Sequence, residues 1–121
     1  MSRLSELSSK YPKLFNNKPF YFECNDGWYD IIDTLLQQIE HHIEYKNKNM
    51  NIQINQIKEK FGELRFYCSG IDGDLYPVID YATAISLKTC EICGNRGKLR
   101  NEHGWRYTAC DQHYNGEDED E

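Results

Sequence analysis

Two ligand pairs near the C-terminus constrain this chain more than any other feature. Cys90-Glu91-Ile92-Cys93-Gly94 is followed by Cys110-Asp111-Gln112-His113, with sixteen residues between Cys93 and Cys110. Thiolate and imidazole at these spacings are metal-ligand pairs, because two ligands two residues apart on a tight turn share one face of a tetrahedron. Gly94 relaxes that turn. The chain has five cysteines, an odd number that fits no closed disulfide framework. The predicted cofactor is one Zn²⁺ held by Cys90, Cys93, Cys110 and His113. Four protein ligands close the coordination sphere, so the ion is expected to be structural, since a catalytic zinc keeps a position open. Metal binding would supply folding free energy to a segment of about thirty residues that buries little apolar surface.

A knuckle, a hairpin ending in Trp105-Arg106-Tyr107-Thr108, and a second pair at a helix start resemble a treble-clef finger. Nucleases on that scaffold need a His-Asn-His constellation, and no such set stands here in the right order. His103, in the loop Asn101-Glu102-His103-Gly104, is a spare imidazole that reads as a surface residue. Over residues 88–116 the finger sets Lys88, Arg96, Lys98, Arg100 and Arg106 against Glu91, Glu102 and Asp111, a formal +2. Loading zinc on three thiolates lowers that to about +1. This is little charge for tracking phosphates, so nucleic-acid binding stands as the alternative rather than the leading function.

The longest periodic stretch lies upstream. Trp28, Ile31, Ile32, Leu35, Leu36, Ile39 and Ile43 fall on one face of a 3.6-residue helix. Asn25 or Asp26 is the expected N-cap, and the helix should end near Tyr45 before a polar loop at Lys46-Asn47-Lys48-Asn49. Residues 51–58 and 63–68 read as a hairpin with Gly62 in its connection. Leu64, Phe66 and Cys68 alternate with Glu63, Arg65 and Tyr67, while Ile57 breaks the alternation and predicts a bulge or turn. A second helix is expected over about Leu75–Leu87, with Pro77 in its first turn. Residues 3–10 form a short helix in this reading. The aromatic-rich stretch from Tyr11 to Tyr29 is an irregular segment clamped to the core by its rings. The predicted fold class is therefore α+β: a body over residues 1–87, a zinc finger over 88–114 and a disordered acidic tail over 115–121.

Charge enters through that tail. The formal net charge is −6, and Glu117 to Glu121 contribute five consecutive negatives. The remainder carries fifteen acids and fourteen bases, so neither DNA mimicry nor a general DNA-binding surface follows. No apolar run reaches the roughly 18 residues of a membrane span, and Met1-Ser2-Arg3-Leu4-Ser5-Glu6 lacks an apolar signal region. Reduced thiols point to the cytoplasm.

Lys58, Lys60, Arg65 and Tyr67 gather around the hairpin and are candidate binding residues for a protein partner or a small anionic ligand. Trp28 joins them if the aromatic segment and the hairpin line one pocket. The competing reading pairs Glu59 or Glu63 with Arg65 and the lysines across the strands. His41 and His42 are neighbours on one helix, so they point in different directions. Cys24 and Cys68 read as small core residues. No phosphate loop, Gly-x-Ser-x-Gly or His-Glu-x-x-His occurs, and the sequence assembles no catalytic residues. The leading expectation is a non-enzymatic protein, with an enzyme of unrecognised type as a further alternative, because a fold can bring distant residues together.

Three blocks, Glu23-Cys24-Asn25-Asp26-Gly27-Trp28-Tyr29, Ile57-Lys58-Glu59-Lys60-Phe61-Gly62-Glu63-Leu64-Arg65-Phe66-Tyr67, and the Cys90–His113 finger with Trp105, together resemble small uncharacterised proteins of bacteria and their phages. The resemblance spans residues 20–114 and implies an α+β part followed by the finger. It brings no activity and no catalytic residues. Its phage association implies a host-interaction or counter-defence role in the host cytoplasm.

Overall fold

A computed structural model describes residues 3–46 and 51–114. The chain opens with a 3₁₀ turn, Arg3–Glu6, that runs into a single helical turn, α1 (Leu7–Lys10). A second 3₁₀ turn, Asp26–Trp28, leads into the long helix α2 (Tyr29–Lys46). Then come the hairpin strands β1 (Gln53–Lys60) and β2 (Glu63–Ser69), a 3₁₀ turn Gly73–Leu75, and α3 (Tyr76–Ser86) with Pro77 in its first turn. The C-terminal hairpin is β3 (Lys98–Glu102) and β4 (Trp105–Ala109). This is the α+β architecture expected, built on two separate two-stranded antiparallel sheets.

The predicted stripe of α2 forms the core. Trp28, Ile32, Leu35, Leu36 and Ile39 are buried, with Ile31 and Ile43 packed at the margin. Leu4, Leu7, Tyr11, Leu14 and Phe15 cover the same core from the N-terminal side, and the rings of Phe15, Phe20 and Phe22 stack at 4.9–6.0 Å between centroids. The clamp of aromatic rings is thus real for these side chains, whereas Tyr21 faces solvent. Asn25, one of the two expected caps, takes the N-cap position of the 3₁₀ turn that leads into α2, with extended backbone and no side-chain cap bond. Asp26 has a role toward the N-terminus. Its carboxylate accepts the Arg3 and Leu4 amides, at 2.9 and 3.2 Å, and so closes the N-terminal turn instead.

In the first hairpin, Ile54 pairs with Cys68 and Gln56 with Tyr67, which leaves Asn55 as the extra residue of a bulge. The bulge resets the alternation, and Ile57 turns inward to full burial. Lys60 and Glu63 flank a two-residue turn in which Phe61 and Gly62 both have positive φ, 56° and 85°. That is the backbone of a primed hairpin turn, which suits the twist of the strands. Each edge of this first hairpin carries a contact to its backbone from a neighbouring segment. Glu23 bridges β1 in parallel through Glu23 N–H to Ile57 O and Glu59 N–H to Glu23 O. On the other side Leu64 N–H donates to Ser86 Oγ, and Thr83 Oγ1 donates to Leu64 O.

No helix among the described residues is long and apolar enough to cross a membrane. The polar loop after Lys46 and the acidic tail expected from Asn115 fall outside the described residues.

Candidate metal centre and its docking

The segment after α3 turns sharply at Thr89. Thr89 and Arg96 form an antiparallel bridge, Cys90 N–H donates to Asn95 O, and Gly94 N–H donates to Cys90 O. These bonds fold Cys90–Asn95 into a knuckle that turns both cysteine sulfurs to one side. β3 and β4 then pair in register from Lys98–Ala109 to Glu102–Trp105, returning Cys110 to the knuckle. The tip is again a two-residue primed turn, with His103 and Gly104 at φ 55° and 88°. His103 therefore sits exposed at the hairpin tip. Asp111 and Gln112 form a turn after Cys110, closed by His113 N–H to Cys110 O. A turn therefore stands over 111–114 where the treble-clef resemblance places the start of a helix.

This fold brings the predicted ligands together. One ligand atom from each of Cys90, Cys93, Cys110 and His113 lies within 4.8 Å of all the others, and the group can hold a metal ion. Cys93 Sγ to Cys110 Sγ is 3.7 Å, Cys90 Sγ to His113 Nδ1 is 3.7 Å, and Cys110 Sγ to His113 Nδ1 is 3.2 Å. A tetrahedral ion with metal–sulfur bonds of about 2.3 Å requires ligand edges of about 3.5–3.8 Å. The donor set is thus already near the geometry of an occupied site. Cys90 is fully buried, Cys110 nearly so, and Cys93 and His113 face solvent. Burial works against ionising Cys90. The backbone N–H groups of Cys110, Cys93 and Ile92 aim at its sulfur and outweigh burial, lowering the thiol to about 6. The knuckle is built to carry a thiolate.

Two glycines outside the finger hold it on the body. Gly27 N–H donates to Glu91 O at 2.7 Å, and a Cβ on Gly27 would overlap the carbonyl oxygens of Cys90 and Glu91. Beside it Trp28, fully buried, donates from Nε1 to Thr89 O at 2.9 Å, and Asn25 N–H donates to Glu91 Oε2 at 3.0 Å. At the other contact, Thr108 Oγ1 donates to Gly62 O at 2.6 Å, while Leu99 occupies the space a Gly62 side chain would need. The two glycine-bearing blocks near the N-terminus and in the first hairpin are thus the docking surfaces of the finger. The sequence reading singled out both blocks and missed this purpose. The available signal was that each block places a glycine beside an aromatic residue.

Arg100 was also missed as a support of the site. It is 3% exposed. Its Nε donates to Ala109 O at 3.1 Å, its Nη2 pairs with Asp111 Oδ1 at 2.9 Å, and the guanidinium lies 4.3 Å from the Tyr114 ring centroid. One planar fork thereby holds the Ala109 carbonyl before Cys110 and the Asp111 carboxylate after it.

Four of the five candidate binding residues share one face of the first hairpin, and Trp28 stands apart from them. Trp28 is spent on the interior contact just described. Lys58, Lys60, Arg65 and Tyr67 alternate onto the outer face of the first hairpin, and Lys58 stands opposite Arg65 in register. Glu63 pairs with Arg65 at 2.7 Å along the same strand rather than across it. The hydrogen bond that Arg65 donates to the Tyr67 oxygen, followed by the Glu63 charge, holds Arg65 more basic than usual. Glu59 turns away and accepts the Gly62 amide at 2.8 Å.

Among the described residues one further group can hold a metal ion: His42, Asp72 and Asp74. Here Asp72 is already engaged, receiving His42 Nε2 at 3.0 Å and the Asp74 amide at 3.1 Å, which ties α2 to the start of α3. His41 is exposed.

Two concave surfaces adjoin the finger. A cleft of about 560 Å³ lies between residues 21–25 and the finger, with Glu23, Glu59, Glu91, Tyr21, Trp105 and His113 among its walls. A second, of about 580 Å³, collects Lys88, Arg96, Lys98 and Arg100 on another side of the finger. Comparison of the chain with family models, with curated proteins and with solved structures gives no match in any of the three.

Proposed function

We propose that this chain is a non-enzymatic zinc-binding protein of the cytoplasm that acts by binding another protein. In this reading the zinc is structural. The observation that carries it is the closed Cys3His donor set inside a finger gripped by Gly27 and Gly62. Four protein ligands leave no position for substrate, and soft thiolates with one imidazole select zinc over hard cations. The metal secures a rigid finger beside the body, and the two together form a concave surface that neither has alone. The resemblance to phage proteins favours a host protein as the partner.

The test uses the tagged full chain, loaded with zinc. It should carry one zinc per chain and capture a defined partner reproducibly. Turnover of a hydrolase substrate that is lost in His103→Ala, with no partner captured, would overturn the reading.

A second reading, nucleic-acid association, is favoured by one observation: Lys88, Arg96 and Lys98 share one groove with the Arg100–Asp111 pair. It predicts binding to a duplex or single strand that weakens steeply with salt. Absence of binding at low salt eliminates it.

A further inference from the structure

The cleft between residues 21–25 and the finger has a composition that specifies its occupant. Glu23 and Glu59 come from the body and Glu91 from the knuckle. Each uses one oxygen internally: Glu23 Oε2 accepts Gln56 Nε2, Glu59 Oε2 accepts Gly62 N–H, and Glu91 Oε2 accepts Asn25 N–H. These donors are neutral, so they position the carboxylates without cancelling their charge. None of the three forms an ion pair with a described residue, and no Lys or Arg lines the cleft. The field is felt locally. The Cys24 thiol, also in this wall, is pushed up to about 12 by burial first and then by the negative charges of Glu91, Asp26, Glu59 and Glu23.

Aromatic surface stands in the same walls. Trp105 and Tyr21 are 68% and 80% exposed, unusual for rings of their size. Carboxylates beside exposed ring faces suit a cation with an extended hydrophobic stem, which gains ion pairing and cation–π contact together. A bare metal ion is a poorer occupant, because the three carboxylates do not bring their oxygens within 4.8 Å of one another. The volume, about 560 Å³, is that of a small-molecule or side-chain site. Arginine fits better than lysine, since its planar guanidinium stacks on a ring and engages a carboxylate in a fork.

We propose that this cleft binds an arginine-bearing basic segment of the partner protein. The inference rests on the protein-binding function proposed above and names the chemistry of its partner. Body and finger each contribute carboxylate and aromatic walls, so the docking through Gly27 also assembles the site.

The experiment titrates the full, zinc-loaded chain with an acetylated, amidated Gly-Arg-Gly-Arg-Gly peptide, and with versions carrying Lys or Glu in place of Arg. Binding is followed by backbone amide shifts. The expected result is saturable shifts confined to residues 21–25, 91–92 and 105–109, with the Arg peptide tightest and the Glu peptide inert. Glu23→Gln and Trp105→Ala, both at exposed positions, should each weaken binding about tenfold while zinc content and far-ultraviolet dichroism stay unchanged. No shifts with the Arg peptide, shifts scattered over the surface, or equal binding of the Glu peptide would each overturn the inference. Partner capture that persists undiminished in both variants would also overturn it and leave the proposed function standing. If no partner is captured at all, it is the proposed function that fails.

Discussion

The amide of Gly27 donates to the carbonyl oxygen of Glu91 across 2.7 Å, joining the start of the long helix to the middle of the Cys90–Cys93 knuckle. The contact has no room for a side chain, because any Cβ on Gly27 would collide with two carbonyl oxygens. Trp28 follows directly and donates its indole N–H to Thr89, one residue before the first ligand. One short sequence block thus anchors the hydrophobic core and seats the candidate metal centre.

Gly27→Ala is therefore expected to destabilise the zinc-loaded protein by about 2–3 kcal/mol, the scale of overpacking against atoms that cannot move away. The control is Gly73→Ala, since nothing lies within 4 Å of a Cβ at that position. It should change stability by less than about 0.5 kcal/mol. Urea unfolding of the two variants at equal zinc makes the comparison, and equal midpoints would show that the close approach is not a constraint.

Phe61 occupies a left-handed backbone conformation, φ 56°, at the first turn position of the body hairpin. A large L-residue is costly there, whereas Asn followed by Gly is the preferred pair of such turns. Phe61→Asn should raise stability by about 1 kcal/mol. Its ring is 59% exposed, so little burial is lost in exchange. A decrease in unfolding midpoint would show that the ring contributes more than the strain removes.

The thiols should separate into two classes. Burial raises both Cys24 and Cys68, Cys24 to about 12 from an ordinary value of 9.0. The native state then holds a proton on Cys24 that the unfolded chain loses between pH 9 and 12. That contribution is fully present below pH 9 and is lost as pH rises toward 12. At pH 9 alkylation of native Cys24 should be more than about a hundredfold slower than that of a free thiol. On adding a chelator at pH 8, Cys90, Cys93 and Cys110 should react first. Mass spectrometry of the alkylated peptides reads the order, and early labelling of Cys24 would contradict it.

Arg100 offers a test of the support behind the ligands. Its fork reaches the Ala109 carbonyl and the Asp111 carboxylate on either side of Cys110. Lysine keeps the charge but not the planar geometry. Arg100→Lys should weaken zinc affinity about tenfold, within the range expected for partners behind metal ligands. Competition with a chromophoric chelator measures this, and unchanged affinity would make Arg100 a bystander.

Much of this organisation was legible in local pattern. The stripe from Trp28 to Ile43 marked α2 because its period matches a helix and its apolar face had to be buried. The broken alternation at Ile57 pointed to a bulge or a turn, and the bulge lies two residues earlier at Asn55. The paired ligand spacings marked the candidate metal group. What local pattern does not encode is which surface meets which. Asp26 looked like a cap for the helix that follows it, yet it closes a turn more than twenty residues earlier. Trp28 looked available for binding because an aromatic beside charged residues reads alike whether it faces solvent or a second unit. The acidic cleft draws Glu23, Glu59 and Glu91 from three separate segments, so no spacing in the chain announces it.

The central claim is that a metal ion organises the C-terminal hairpin and thereby its contact with the body. The most direct measurement is the amide spectrum of the full chain, purified with its metal content determined and recorded before and after complete chelation. One zinc per chain is predicted. On chelation, the dispersed signals of residues 89–113 and the indole N–H of Trp28 should collapse or shift together, and return when zinc is restored. A metal-free chain whose hairpin and Trp28 signals stay in place would contradict the account.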